Sequence, residues 1–208
     1  MSSVLRDLVE AIESALGDAG LPDDLARTDA FRPAMAALLA DRDPLPSWAY
    51  EPLDGGAVGN LVHVDEQSRF HILAVVFPEG TSSGVHFHGC WGLIGYLRGG
   101  DEETRYAPAP RVRGAGAPGI GVAGAGLRLD EVSRHVWHQG DITALLPPAD
   151  GWHRVRNPGP GDAVSVHVLC MTPSEHPHEY WRREDGKVLP FPFEEVAPDR
   201  WVARVALD

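Results

Sequence analysis

Apolar side chains recur at helical spacing at the start of the chain: Val4, Leu5, Leu8, Val9, Ile12 and Leu16 fall on one face. This spacing predicts a helix with Ser3 as its N-cap and Gly20 as its stop. A second helix is expected from Pro22-Asp23-Asp24 through Met35-Ala36-Ala37-Leu38-Leu39-Ala40, with residues 41–46 ending it. Both helices should pack their apolar faces against the rest of the protein. From about residue 57 the period changes from helical to short apolar or alternating runs. Strands are predicted at 70–77, 85–88, 93–97, 103–106, 132–138, 142–146, 152–156 and 163–170, with glycine and proline between them. No helix-period segment separates these runs, which argues against βαβ units and for an all-β sandwich or barrel. The organisation expected is one structural domain: a helical arm over residues 1–50 packed on a β core over residues 51–208.

Two stretches depart from this pattern. Residues 107–126, APAPRVRGAGAPGIGVAGAG, are biased toward Ala, Gly and Pro and read as a mobile surface insertion between strands. Their Gly-x-Gly pieces follow no Rossmann strand and open no helix, so they do not point to a nucleotide. The tail from Pro173 to Asp208 carries Trp181, Phe191, Phe193 and Trp201 and is expected to wrap the barrel and close one end.

Composition narrows the function classes. The formal charge of −12 and the lack of a compact Lys/Arg run set nucleic acid aside as a partner. No apolar run approaches the roughly 20 residues of a membrane helix. Met1-Ser2-Ser3-Val4-Leu5-Arg6-Asp7 lacks the basic-then-apolar pattern of a signal peptide, which leads to an expected cytoplasmic location. The two cysteines, Cys90 and Cys170, make no disulfide framework for 208 residues, and a reducing compartment fits them. A monomer and a homodimer are equally compatible with the sequence.

The chemistry concentrates in histidines. Gly80 is followed, after five residues, by His86-Phe87-His88. Residues two apart on a strand share a face, so both imidazoles can meet one ion, and Gly80 permits a tight turn into that strand. Some 65 residues later, Pro147-Pro148-Ala149-Asp150-Gly151-Trp152-His153 places a third histidine where a strand begins after a turn. Neutral imidazole is the commonest protein metal ligand, and His86, His88 and His153 are the candidate metal ligands. His176-Pro177-His178 is a second His-x-His, but it follows the last clear strand and reads as a surface feature. His135 and His138 fall on opposite faces of a strand and read as structural or solvent-facing. Trp91 reads as core or pocket wall.

These motifs resemble the cupin superfamily. Gly80, His86, His88 and Gly100 match its first motif, although the glutamate position falls on Gly92 or Leu93. Pro148, His153 and Asn157 match the second, with Asp150 in place of glycine. The resemblance covers roughly residues 59–170 and implies a double-stranded β-helix, a jelly-roll barrel, with the helical arm outside it. Within the superfamily the chain is similar to thiol dioxygenases such as cysteine dioxygenase and 3-mercaptopropionate dioxygenase. Residues 84–99, the segment His153-Arg154-Val155-Arg156-Asn157 and Ser165-Val166-His167 carry that likeness. It implies Fe(II) as cofactor, and a small thiol and O₂ as substrates. It also gives His167 the role of a group behind the metal, with Ser165 fixing its ring.

The chain departs from that family where substrate is held. Leu169 replaces a tyrosine, and Leu93 replaces the cysteine that cross-links to it in the animal enzymes. Asn60 stands where cysteine-selective members have an arginine, and Phe87 stands where aspartate is common. Asn60, Cys90 and Arg154 are the candidate substrate contacts, Arg156 offering a second guanidinium beside Arg154. Three neutral imidazoles leave a divalent ion its full charge, which favours a thiolate ligand. The same three ligands also suit zinc, so iron is implied by the resemblance and not by the ligands. The alternatives are a cupin enzyme of another reaction (a different oxygenation, an isomerisation or a lyase step) and a cupin that binds metal or ligand without turnover.

Overall fold

The computed structural model describes residues 1–53, 56–109, 127–148, 151–172, 175, 178–190, 193–198 and 200–203. The insertion expected over residues 107–126 therefore lies almost wholly outside the described residues, as do Ala149, Asp150, His176 and Pro177. Helix α1 spans Ser3–Gly17 and helix α2 spans Asp24–Ala40. The N-cap of α1 is Ser2, one residue earlier than expected. Its hydroxyl accepts from the Leu5 amide at 3.2 Å and donates to the Pro44 carbonyl at 2.6 Å, so it caps the helix and ties the arm's end to its start. Asp23 caps α2 by accepting from the Ala26 amide. A 3-10 turn, Ser47–Tyr50, leads into the β core.

Thirteen strands are described: β1 Val58–Val64, β2 Phe70–Phe77, β3 His86–His88, β4 Gly92–Arg98, β5 Gly100–Pro108, β6 Leu129–His138, β7 Ile142–Leu145, β8 Trp152–Arg156, β9 Ala163–Cys170, β10 His178–Arg182, β11 Lys187–Pro190, β12 Phe193–Ala197 and β13 Arg200–Ala203. They form a seven-stranded sheet of order β12-β13-β1-β2-β9-β4-β7 and a six-stranded sheet of order β11-β10-β3-β8-β5-β6. Every strand pairing in the two sheets is antiparallel. The fold is a double-stranded β-helix with an N-terminal helical segment. The tail supplies two hairpins, β10–β11 beside β3 and β12–β13 beside β1, so it extends both sheets.

Alternation decides what each strand offers to each side. On the seven-stranded sheet Val58, Ile72, Ala74, Val76, Val164, Val166 and Val168 share one core with Leu5, Leu8, Ile12, Phe31, Met35 and Leu38 of the helices. The helices therefore cover the outer face of this sheet. Its inner face carries Leu73, Val75, Ser165, His167 and Leu169, in the register Leu73 to His167 and Val75 to Ser165. On the six-stranded sheet one inner row runs Tyr180, His86, His153, Arg105, Ser133 across β10, β3, β8, β5 and β6. Its outer face buries Val85, Tyr106 and Trp152, with Phe87, Leu127, Leu129 and Trp181 packed on them.

Candidate metal centre

Strand β3 holds His86 and His88 with both side chains buried inside the barrel, and β8 pairs with it so that His153 lies directly across from His86. The turn before β3 contains Gly80 at φ 76°, the left-handed conformation that glycine adopts without strain. The three imidazoles turn their Nε2 atoms toward one point. His86 Nε2 lies 3.0 Å from both His88 Nε2 and His153 Nε2, and all three ligand atoms fall within 4.8 Å of one another. Two nitrogens bound at about 2.1 Å and at a right angle stand about 3.0 Å apart. The residues present thus fit a first-row divalent ion held by three neutral imidazoles.

The far ring nitrogens decide which atom is free to bind. His153 Nδ1–H donates to Glu103 Oε1 at 2.9 Å, and His86 Nδ1–H donates to the Gly84 carbonyl at 3.3 Å. Each bond keeps the proton on Nδ1 and leaves Nε2 as a lone pair. Burial, with His153 next to it, drives the pKa of His86 well below its ordinary value, so its neutral form is favoured. Glu103 itself is 1% exposed and also accepts from Trp137 Nε1 at 2.8 Å and pairs with Arg105 at 3.2 Å. Burial raises its pKa, but His153, Arg105 and Trp137 overcome this and hold it at about 2, ionised.

A cavity of about 60 Å³ opens beside the histidines. Its walls include Ala57, Val58, Leu73, Val75, Phe77, Val155 and Leu169, and its polar lining among the described residues is Ser83, His86, His88, His167 and His178. His167 reaches it from the opposite sheet and shares a 2.9 Å hydrogen bond with the Ser165 hydroxyl. Burial pulls His167 down to about 3, so this ring also stays neutral. Gly92, one of the two positions where the carboxylate would stand, faces the flexible end of Leu169. A Cβ there would stand 2.7 Å from Leu169 Cδ2, because Gly92 and Leu169 are paired across β4 and β9. Leu93 points to the other face, into the core shared with the helices.

The three expected substrate contacts are placed elsewhere. Asn60 shares its face with Val58 and pairs with Ala74, on the side covered by the arm; its Nδ2 donates to the carbonyls of Ala49 at 3.1 Å and Glu51 at 3.2 Å. Cys90 is joined to Cys170 in a disulfide, which replaces the expected free thiol. Cys170 belongs to the core under the helices and Cys90 packs against it, so this sulfur pair lies outside the cavity lining. Arg154 alternates with His153 and Val155, pairs with Thr104, and therefore faces away from the metal point. Trp91 is core, with its ring 6.1 Å from that of Phe31. His135 and His138 are exposed on β6.

Two residues escaped sequence reasoning. Glu103 sits in a strand of mixed charge, Gly100-Asp101-Glu102-Glu103-Thr104-Arg105, and nothing in that run links it to a histidine 50 positions later. His178 belongs to the second His-x-His, expected at the surface. The structure corrects this: β10 pairs with β3, sets His178 opposite His88, and brings the two rings to 4.7 Å.

No family model matches the chain. It is similar to solved structures at low identity. An uncharacterized conserved protein with a double-stranded beta-helix domain from Klebsiella pneumoniae subsp. pneumoniae is 15% identical, with a TM-score of 0.43 over 62% of this chain and 83% of that one. A cupin superfamily protein from Desulfitobacterium hafniense is 14% identical, with a TM-score of 0.41 over 64% and 94%. Oxalate decarboxylase of Bacillus subtilis, described with Mn(II) centres, is 17% identical, with a TM-score of 0.37 over 58% of this chain and 27% of that one. The chain's own two sheets and three-histidine cluster make it a double-stranded β-helix with a centre fit for a metal ion.

Proposed function

We propose that the protein is a non-haem Fe(II)-dependent dioxygenase that converts a small thiol to a sulfinate with O₂. The observation that carries the reading is a buried ligand set made of imidazoles alone, with no carboxylate grouped among the ligands in the described residues, facing an apolar cavity. Bound iron would supply the one-electron chemistry that lets O₂ react with a thiolate sulfur. In the balanced reaction RSH and O₂ give RSO₂H. Both oxygen atoms bond to sulfur, the O–O bond breaks, sulfur loses four electrons, and O₂ gains them without an external reductant.

The chain's own groups have separable tasks. His86, His88 and His153 add no charge to the ion, so a thiolate is the ligand that offsets part of it. Glu103 fixes the His153 ring and favours Nε2 as donor. Leu73, Val75, Phe77 and Leu169 keep the reacting volume poor in water. His167, oriented by Ser165, offers a polar edge to that volume from the opposite sheet. The likeness of 84–99, 153–157 and 165–167 to thiol dioxygenases favours this chemistry over other reactions of the fold.

The test is O₂ consumption by the anaerobically Fe(II)-loaded protein against a panel of small thiols, with His86→Ala as control. Saturating uptake with a thiol, one sulfinate formed per O₂, and loss of both in the control are expected. One bound metal per chain without uptake on any thiol would overturn the reading in favour of another reaction of the fold or binding without turnover.

A further inference from the structure

His178, the last residue of the second His-x-His, is not among the three ligands that the described residues bring together, yet it is built into the same cavity. Strand β10 is the neighbour of β3 on the side away from β8. Its register puts His178 against His88 and Tyr180 against His86. The His178 ring stands edge-on to His88, 4.7 Å between centroids, and forms part of the cavity wall together with Leu73, His167 and Leu169. The C-terminal hairpin thus delivers an imidazole next to a metal ligand. The cavity lining contains no arginine, lysine, aspartate or glutamate among the described residues. A substrate carboxylate or ammonium would lose its water there without a charged partner from the protein, at a large cost. A neutral hydrogen-bonding group would meet an imidazole that can donate or accept.

Resting on the thiol reading above, we propose that His178 is the specificity residue of this pocket. It contacts the end of the substrate remote from sulfur, and the substrate is a compact thiol with an uncharged tail bearing one hydrogen-bonding group, as in a hydroxyalkyl thiol. The cavity of about 60 Å³ sets the size of that tail at a few heavy atoms.

Binding can be read without turnover. The full-length protein is loaded with Co(II) and titrated anaerobically with 2-mercaptoethanol, ethanethiol and 3-mercaptopropionate, following the thiolate-to-cobalt charge-transfer band. 2-Mercaptoethanol should bind about tenfold more tightly than 3-mercaptopropionate, and about three- to tenfold more tightly than ethanethiol, the range expected of one hydrogen bond. His178→Phe should erase the preference over ethanethiol while one Co(II) per chain is retained, and His178→Gln should keep part of it. Equal affinity of the wild type for 2-mercaptoethanol and ethanethiol, a preference for 3-mercaptopropionate, or a preference unchanged in His178→Phe would overturn the assignment and leave the thiol chemistry standing. No band with any thiol would overturn the thiol reading and this inference with it.

Discussion

At the scale of single residues, the candidate metal centre depends on groups that would not themselves touch an ion. Glu103 holds His153 through Nδ1, and outer partners of this kind are commonly worth ten- to a hundredfold in metal affinity. Glu103→Gln keeps an acceptor but loses the charge, so we expect metal affinity to fall about tenfold, read by competition with a chelator of known affinity. His71 shows a different effect of burial. Burial lowers its pKa to about 4, against the opposing hydrogen bond from Nδ1 to the Met171 carbonyl. The unfolded chain takes up this proton near 6.5. Between those two values the unfolded state binds more protons, so stability falls as pH falls through that window. The loss from this one residue approaches roughly 3 kcal/mol by pH 4. His71→Phe should flatten the acid side of the curve of urea midpoint against pH; an unchanged slope from pH 7 to pH 4.5 would show that His71 does not carry it.

At the scale of elements, helix α2 and strand β4 meet at a position without a side chain. A Cβ on Gly95 would lie 2.7 Å from Met35 Sδ and 3.0 Å from Leu39 Cδ1. The same strand presents Ile94 and Tyr96 to the opposite side, beside Leu145 and Trp137. Gly95→Val should therefore push the arm off the sheet and cost about 1–3 kcal/mol, the usual range for overpacking. Chemical denaturation reads the loss, and metal stoichiometry should stay at one per chain because His86, His88 and His153 lie on the other sheet. This packing was readable in outline, since the apolar faces of both helices announced a docking surface. Which strand would receive them was not, because Gly95 carries no hydrophobic signal. The strands 70–77, 152–156 and 163–170 matched their predicted bounds because apolar runs and turn residues mark both ends. Strands β10 to β13 went unpredicted, since their sequences alternate weakly and are stabilised by pairing with β3 and β1.

At the scale of the whole molecule, two cross-connections should govern stability. The Cys90–Cys170 disulfide spans 80 residues and ties the approach to β4 to the end of β9. Its reduction should lower the unfolding free energy by about 2–4 kcal/mol, the typical contribution of a disulfide. Denaturation with and without a thiol-free reductant checks this, and coincident curves would argue that the bond contributes nothing in solution. A metal ion held by His86, His88 and His153 would form the second connection, between β3 and β8. A divalent ion present at about 100 times its dissociation constant should stabilise the fold by about 2.7 kcal/mol. The melting temperature should rise on loading and return with a chelator, and His86→Ala should show neither change.

The sequence by itself determined the helical arm, the all-β core and the three histidines, because each is written in local spacing: 3.6 for the helices, 2 for His86 and His88, and a turn followed by a strand for His153. Ser165 and His167 were marked by the resemblance to thiol dioxygenases, and two-residue spacing places them on one face. The tertiary structure alone decided which side each remaining candidate faces. Asn60 and Arg154 lie on the outer faces of their sheets, and one residue of register separates those faces. Cys90 found Cys170 across the core, and Glu103 found His153 across a strand pair. His178 came to the pocket only because the C-terminal hairpin completes the sheet next to β3. Contacts between residues far apart in the chain arise from sheet order and register, and neither is encoded in any local run of residues.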